Sequence, residues 1–460
     1  MAESFTAEGS GPNVTGRYLV LFEEDESGPA MGIEALNSVA GLRAATTADF
    51  KDGVAGHRKP RGADALVFDQ LSVAVVDAPP DQAAALQSAS VAKTSPILAV
   101  EPEQMLYALP NFAADDAQSF RLADGAVVAD EETEPGPDGV SVDYIRGFRD
   151  GVNSMANGLM SGDGAGAAFF GGPGVLRDNR TLTWGLQAVG ADRTAFTGKG
   201  VRVAVLDTGM DLKHPDFKGR SIRRASFING ESVQDKHGHG THCIGTACGS
   251  AKVRGRRYGV APEAKIFAGK VLSNKGSGPD QSILNGINWA VRNNCQVISM
   301  SLGSRVQQGQ AHSPIYELIA KRALARGSLI IAAAGNDSRR AFFVAPVSRP
   351  ANCPSILAVG ALDARMGIGR FSNAGLNANG GQVDIAGPGV RVFSSWPMSD
   401  RYRFLNGTSM ATPHAAGIAA LLAEANPSAR GSDLSRLLVQ GASRLSLPSR
   451  DVGAGLVEAP

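Results

Sequence analysis

Residues 201–211 read "VRVAVLDTGMD". A short, nearly continuous apolar run of this kind suits a strand buried on both faces of a sheet. The run stops at Asp207, followed by Thr-Gly, so the carboxylate stands at the strand's carboxyl end. There it either caps the next turn or takes part in chemistry. Four similar runs follow: "KIFAGKV" (265–271), "QVISMSL" (296–302), "SLIIAAA" (328–334) and "ILAVGA" (356–361). Between them, "DQSILNGINWAVRNN" (280–294) and "SPIYELIAKRALARG" (313–327) carry apolar residues at helical spacing, with Gly327 placed to end the second helix. Strands alternating with helices predict an α/β fold from about residue 181, a parallel sheet with helices on both faces. In such sheets reacting groups collect at the carboxyl ends of the strands.

The 460 residues are long for one domain, so two folded units are expected. Hydrophobic residues at 43% and charged residues at 19% are ordinary for a globular chain, and 56 glycines and 24 prolines without period exclude collagen. A formal charge of +1 argues against a nucleic-acid partner. Met1 is followed by "AESFTAEGSG", with neither a basic start nor an apolar stretch, so no secretory signal is read. No apolar run approaches the roughly 18 residues of a membrane span. A cytoplasmic, monomeric protein is expected as synthesised, the alternative being export by a route without a signal peptide. The Asn13-Val14-Thr15 sequon is then fortuitous. Cys243, Cys248, Cys295 and Cys353 form no CxxC pair and are too few for a disulfide scaffold.

Upstream, residues 16–109 read as a small α+β unit: "RYLVLFE" (17–23) as strand, "MGIEALNSVAG" (31–41) as helix, "ALVFDQLSVAVVD" (65–77) as a strand or bent strand pair. "PDQAAALQSA" (80–89) is a helix with Pro80 near its start, and "SPILAVEPE" (95–103) closes the unit. Residues 1–15 form a tail, and the basic "HRKPRG" (57–62) is a solvated loop. The acidic, turn-rich and glycine-rich stretch 110–180 reads as a linker. Its "SGDGAGAAFFGGPG" (161–174) lacks the preceding strand that a dinucleotide loop requires.

Three further segments bear chemistry-competent side chains. "DKHGHGTHCIGTACG" (235–249) holds His237, His239 and His242; without an HExxH or Cys/His pattern, a histidine opening a tightly packed helix suits it better than zinc. Asn336 ends a buried strand in "SLIIAAAGNDS" and is either a turn residue or an amide donor. Ser409 in "FLNGTSMATPHAAG" (404–417) is either a helix cap or a nucleophile at a helix N-terminus. Nucleophile, base, base-orienter and oxyanion donor are the parts needed for acyl transfer, and the four together outweigh their separate bland readings.

"VAVLDTGMD", "HGHGTHCIGT", "AAAGN" and "NGTSMATPHAAG" resemble the catalytic segments of the subtilisin family of serine proteases, in that family's order Asp, His, Ser. "KVLSNKGSGPDQSILNGINWA", "VISMSLGS" and "DIAGPGVRVFSSW" are similar to family sequence too, so the resemblance covers 181–450. It implies a seven-stranded type of parallel sheet in a peptidase domain from 181 to 460. It casts Ser409 as nucleophile, His239 as general base, Asp207 as the group orienting the imidazole, and Asn336 with the Ser409 N–H as oxyanion donors. Ser301-Leu302-Gly303 and Lys275-Gly276-Ser277-Gly278 resemble the edges that sandwich an extended substrate. Selectivity would rest on the pocket beside Ala333, Ala334, Gly335 and Asn336, its far wall within "RRAFFVAPVSRPANCPS". Pro413 is expected early enough in its helix for its missing N–H to cost little. Ala411, Ala415, Ala416 and Gly417 would let that helix sit close beneath the sheet. Cys243 directly after "HGTH" is similar to the proteinase K-like branch and implies mercury sensitivity, though a small core residue is equally consistent. Asp216 matches a calcium ligand of the family, but "GSAKVRGRRYG" puts Lys252, Arg254, Arg256 and Arg257 where oxygens would be needed. That site is expected to be lost, and no cofactor is expected to be required.

Residues 16–109 resemble the subtilisin propeptide, a ferredoxin-like inhibitor domain, with "AVEPEQMLYAL" as the tail that occupies the active site. The resemblance implies a zymogen: a serine endopeptidase acting on peptides or proteins and inhibited by its own N-terminal domain. Leu109 would precede the scissile bond, yet Pro110 follows and lacks an N–H, which makes cleavage there a poor step. Processing is then expected within the linker, or the N-terminal unit stays as a clamp. Peptide ligation through the same acyl-enzyme and a permanently clamped binding protein are the alternatives.

Overall fold

The apolar run in "RYLVLF" becomes intelligible once both sides of its strand are seen. The computed structural model describes residues 13–24, 29–50, 54, 62–109, 175–250 and 255–460. Pro110, nearly all of the linker, Lys252, Arg254 and most of the tail and of the basic loop therefore lie outside the described residues. β1 (Val14–Phe22) sends Leu19 and Leu21 to one core and Val20 and Phe22 to another. An antiparallel strand buried on both faces reads as continuous rather than alternating.

α1 (Pro29–Ala40), β2 (Ala44–Thr46), β3 (Ala65–Phe68), β4 (Val73–Val76), α2 (Pro80–Ser90) and β5 (Ile97–Ala108) complete the N-terminal part. β3 and β4 form the antiparallel pair, so the "bent strand pair" reading holds for 65–77. The three-residue β2, parallel to β3, was too short to announce itself. Pro80 occupies the first turn of α2, where its missing N–H is not needed. Leu36 of α1 and Leu86 of α2 cover Val20, Val67 and Val76 on one face of the sheet.

The second part contains α3 (Trp184–Ala188), β6 (Arg202–Asp207), β7 (Ile222–Ser226), α4 (His239–Cys248), β8 (Lys265–Lys270), β9 (Ser277–Pro279), α5 (Asp280–Arg292), β10 (Val297–Met300) and β11 (Leu302–Gly303). It continues with α6 (Pro314–Ala325), β12 (Leu329–Ala333), β13 (Leu357–Leu362), β14 (Ile385–Pro388), β15 (Val392–Ser395), β16 (Tyr402–Leu405), α7 (Thr408–Ala425), α8 (Ser432–Gln440) and α9 (Ser449–Val452). Seven strands form one parallel sheet in the order β14-β13-β12-β10-β6-β8-β7. β6 comes first in the chain and lies inside the sheet. Later strands are laid down on both its sides, which puts the carboxyl end of β6 at a topological switch point. α4 and α7 share one core with Val203 and Val297, while α5 and α6 share the other with Ala204 and Ile298.

β7 and β14 escape sequence reading for physical reasons. β7, "IRRAS", is a charged edge strand, and β14, "IAGP", carries Gly and Pro. Residues 176–183 already belong to the packed unit, since Leu176 N–H donates to the Ala364 carbonyl at 2.9 Å. The two parts of the chain make one compact unit. Leu19, Leu66 and Phe68 share a core with Ile283, Ile287 and Ile319 of α5 and α6. β5 belongs to both parts, pairing antiparallel with β1 over 97–104 and with β9 and β11 over 105–108. No described helix is long and apolar enough to cross a membrane.

Candidate active site

Asp207 ends β6 and His239 opens α4, and the two meet beneath the cleft. His239 Nδ1 stands 2.8 Å from Asp207 Oδ1 and 2.9 Å from Oδ2, both residues being buried. Gly238, at φ +105° before the helix, admits no side chain: a Cβ would meet the Trp396 ring at 2.3 Å. Asp235 fixes the entry to α4, accepting from Thr208 Oγ1 at 3.0 Å, Gly238 N–H at 2.8 Å and Thr241 N–H at 2.9 Å. Sequence reasoning passed over Asp235. Its signal was an Asp shortly before a Gly and a helix, the usual place for a carboxylate to take up unpaired N–H groups.

Burial disfavours a charged imidazole, but the Asp207 carboxylate outweighs it and holds His239 well above the usual histidine value of 6.5. His242 is the opposite case: burial, with the neighbouring His239, pushes it down to about 3. Its Nε2 meets the Val392 and Arg403 carbonyls at 3.1 Å, so it packs as a neutral ring. His237 is lowered by burial and by His239. Cys243 Sγ lies 3.9 Å from His239 Nδ1, and burial raises its thiol. All four cysteines are buried thiols. Among the described residues, Asp207, His239 and Cys243 are the one cluster close enough to share a metal ion, but these atoms already contact each other.

Ser409 is the second residue of α7, and Gly407 holds the cap position, which removes the capping reading of this serine. Its Oγ donates to the Ser301 carbonyl at 3.4 Å, while His239 Nε2 is buried and makes no hydrogen bond among the described residues. The hydroxyl–imidazole contact expected of an active nucleophile is thus not made with β5 in the cleft. Catalytic hydrogen bonds are often long or poorly aligned outside a reacting complex.

Pro413 corrects an expectation, because it stands a full turn inside α7. Its missing N–H would have served the Ser409 carbonyl four residues earlier. That carbonyl instead accepts from Ser301 Oγ at 2.8 Å and Cys243 Sγ at 3.5 Å. The proline is tolerated because two side chains take over its missing bond, not because it comes early. α7 does pack close, since a Cβ on Gly417 would meet Val260 Cβ at 2.5 Å.

Asn336 follows β12. Its Oδ1 accepts from Thr408 N–H at 2.9 Å and Thr408 Oγ1 at 2.8 Å. A backbone N–H can bond only the oxygen of the amide, so its orientation is fixed and Nδ2 faces away from Thr408. Gly335 lies against Ser348 Oγ and Asn373 Nδ2, at 2.3 and 2.2 Å from where a Cβ would stand, and Ser348 N–H donates to the Ala334 carbonyl at 2.8 Å. Ser348 thus brings the 339–355 segment against this pocket.

The two edges hold a strand. Tyr107 pairs with Ser277 and Leu106 with Gly278 on one side, while Ala108 pairs with Leu302 and Tyr107 with Gly303 on the other. Ala108 N–H donates to the Gly276 carbonyl at 2.7 Å. Leu109 is buried; a Cβ on Gly303 would stand 3.6 Å from Leu109 Cδ2 and 3.3 Å from Ser348 Cβ. Asp216 gives one oxygen to Tyr258 OH at 2.6 Å and the other to Tyr402 OH at 3.1 Å. Nearby Arg256 pairs with Asp178 at 2.9 Å.

A profile of the subtilase family matches residues 198–455. The thermostable alkaline protease of Halalkalibacterium halodurans is 40% identical over 61% of this chain and 73% of its own length. Subtilisin Savinase of Lederbergia lenta is 41% identical over 61% of this chain and 98% of its own length, and subtilisin E of Bacillus subtilis is 41% identical over 50% and 58%.

Proposed function

Because the chain belongs to the subtilase family and is a subtilisin-like serine endopeptidase acting on proteins or peptides, we propose that Asp207, His239 and Ser409 are its triad and that residues 13–109 hold it latent. In this mechanism Ser409 Oγ attacks the scissile carbonyl carbon and His239 Nε2 takes its proton. Asp207, bonded to Nδ1, fixes the tautomer and stabilises the imidazolium. The developing oxyanion is met by Asn336 Nδ2 and the Ser409 N–H at the start of α7, where backbone donors already face outward. The imidazolium protonates the leaving amine, leaving Ser409 acylated. Water, deprotonated by the same imidazole, then releases the acid and restores the hydroxyl.

One observation carries the latency: residues 105–108 run between Ser277–Pro279 and Leu302–Gly303, with Leu109 against Gly303 and Ser348. This is how an extended substrate would bind, adding a strand through main-chain hydrogen bonds. We further propose that no calcium ion is held at Asp216, because Tyr258 and Tyr402 occupy the carboxylate and a cation would have to displace both.

The test is fluorophosphonate labelling with intact-mass analysis of wild type beside Ser409→Ala. Wild type should acquire label at Ser409 as its N-terminal part is lost, and the variant should remain whole and unlabelled. Wild type that never labels after loss of residues 13–109 would overturn the triad. Full labelling of the uncleaved chain at the same rate would overturn the latency.

A further inference from the structure

Beyond Ser277–Pro279 the cleft edge runs out of backbone. Pro279 has no N–H, and Asp280 already opens α5, so neither can continue a ladder along β5. The next N–H of β5 is nevertheless taken up. Gln104 N–H donates to Asp280 Oδ2 at 2.8 Å, one residue past the Met105–Pro279 pair. We infer that Asp280 is a substrate-binding residue, extending the cleft by one rung to grip the main-chain N–H six places before the scissile bond. This rests on the reading of 105–109 as lying in the manner of substrate and carries that path one residue upstream, to Gln104, which in this chain also pairs with Val14 of β1.

The carboxylate is built for a fixed acceptor. It is fully buried, and Arg349 approaches it as a fork, Nη1 to Oδ1 and Nη2 to Oδ2 at 3.0 Å each. Tyr316 OH donates to Oδ1 at 2.7 Å, and the Arg349 guanidinium lies 4.6 Å from the Tyr316 ring centre. A carboxylate offers about four acceptor positions, and here three protein donors fill three. The fourth is met by the N–H of Gln104. Withdrawing that donor leaves a buried lone pair unsatisfied, which is more costly than losing an exposed contact. The contact reads backbone and not side chain, so it favours long peptides of any sequence, except those with proline at that place. Leu106, two residues on from Gln104, is buried in one core with Ile283 and Leu302.

The experiment changes the substrate and leaves the protein intact. The full chain is incubated until its turnover of peptide anilides is constant. Acetylated six-residue anilides ending in leucine are then compared with the same peptides carrying an ester in place of the amide at the sixth residue before the anilide. The amide should exceed the ester in kcat/KM by about ten- to hundredfold, the range for a hydrogen bond to a charged group. A proline at the sixth place should behave like the ester, and four-residue anilides should fall to the same level. In Asp280→Leu/Arg349→Met, which removes both buried charges together, amide and ester should become equal. Equal kcat/KM for amide and ester in wild type, with short peptides cleaved as well as long ones, would overturn the inference while leaving the peptidase reading intact. Failure to cleave any anilide would overturn that reading and the inference with it.

Discussion

Arg322→Ala should open the latent chain without touching its chemistry. Arg322 projects from α6 into the N-terminal part, where Nη1 donates to the Leu71 carbonyl at 2.6 Å and the Ser72 carbonyl at 3.2 Å, and Nη2 to the Phe22 carbonyl at 2.6 Å. Its Nε lies 3.5 Å from Glu24, and the residue is 5% exposed. Three charge-assisted bonds at about 1.5–3 kcal/mol each set a ceiling. Part of this returns when water reaches the bared carbonyls, so the loss is taken as about 3–5 kcal/mol, the range for breaking a buried charged contact. At about 1.4 kcal/mol per factor of ten, the fraction of open molecules rises by about two to three and a half decades. The assay is the rate of Ser409 labelling by a fluorophosphonate in chain that has not yet been cut, measured at constant reagent. Arg322→Lys keeps the charge but not the fork and should fall between. After the N-terminal part has gone, kcat and KM of wild type and variant should agree, because these partners of the Arg322 side chain all lie in the N-terminal part. Labelling of uncut Arg322→Ala at the wild-type rate would refute the idea that α6 holds the N-terminal part in place.

Asn336→Ala should lower kcat by about 10²–10³ with little change in KM, a magnitude that derives from subtilisin itself; steady-state kinetics on a peptide anilide read it. Asp69 accepts from Asn288 at 3.1 Å and pairs with Arg292 at 2.5 Å, both on α5. Burial alone would raise its pKa, but the bonds from Thr47, Gln70 and Asn288 and the charge of Arg292 hold it below the usual 3.8. A depressed carboxylate stabilises docking fully above 3.8 and loses that contribution as pH falls through its lowered value. Labelling after short acid pulses should therefore rise only below that pH, whereas Asp69→Asn, which lacks the charge at every pH, should label faster already at neutral pH and show a flatter rise with acid. A mercurial should inhibit the processed enzyme through Cys243, and Cys243→Ala should resist it while keeping most activity. Adding a chelator should leave the unfolding temperature unchanged if the Tyr258–Asp216–Tyr402 contact stands in for an ion; a large fall would refute that.

The central strands were legible because each is written in contiguous residues, an apolar run and then a carboxylate at β6; the Asp207–His239 pairing, 32 residues apart, came from the resemblance of their two segments to the family's. The edges were not legible. β7 has two arginines in five residues, and the hairpin of β15 and β16 packs aromatic rings such as Phe393 and Tyr402 that have no period to read. Arg322 and Asp280 were invisible for a different reason. Their partners lie 251 and 176 residues away, and nothing local marks an arginine as buried or an aspartate as a receiver of backbone N–H. The Ser301–Ser409 bond that excuses Pro413 is likewise a long-range fact, which is why counting turns from sequence assigned the proline to the wrong place.

β5 is anchored to its own sheet mainly over 97–104, and beyond that its neighbours come from the cleft. Lifted out, residues 105–109 would project as a bare extended tail with Leu106 and Leu109 uncovered. An unpaired, outstretched segment is what a strand-adding cleft takes most readily. On the latency proposed above, the N-terminal part is safe only while seated, and every departure exposes it to the cleft it has just left. Opening is a reversible equilibrium, but cutting is not, so the chain's activation should run as a ratchet: slow to begin, faster as active molecules accumulate, and without a way back.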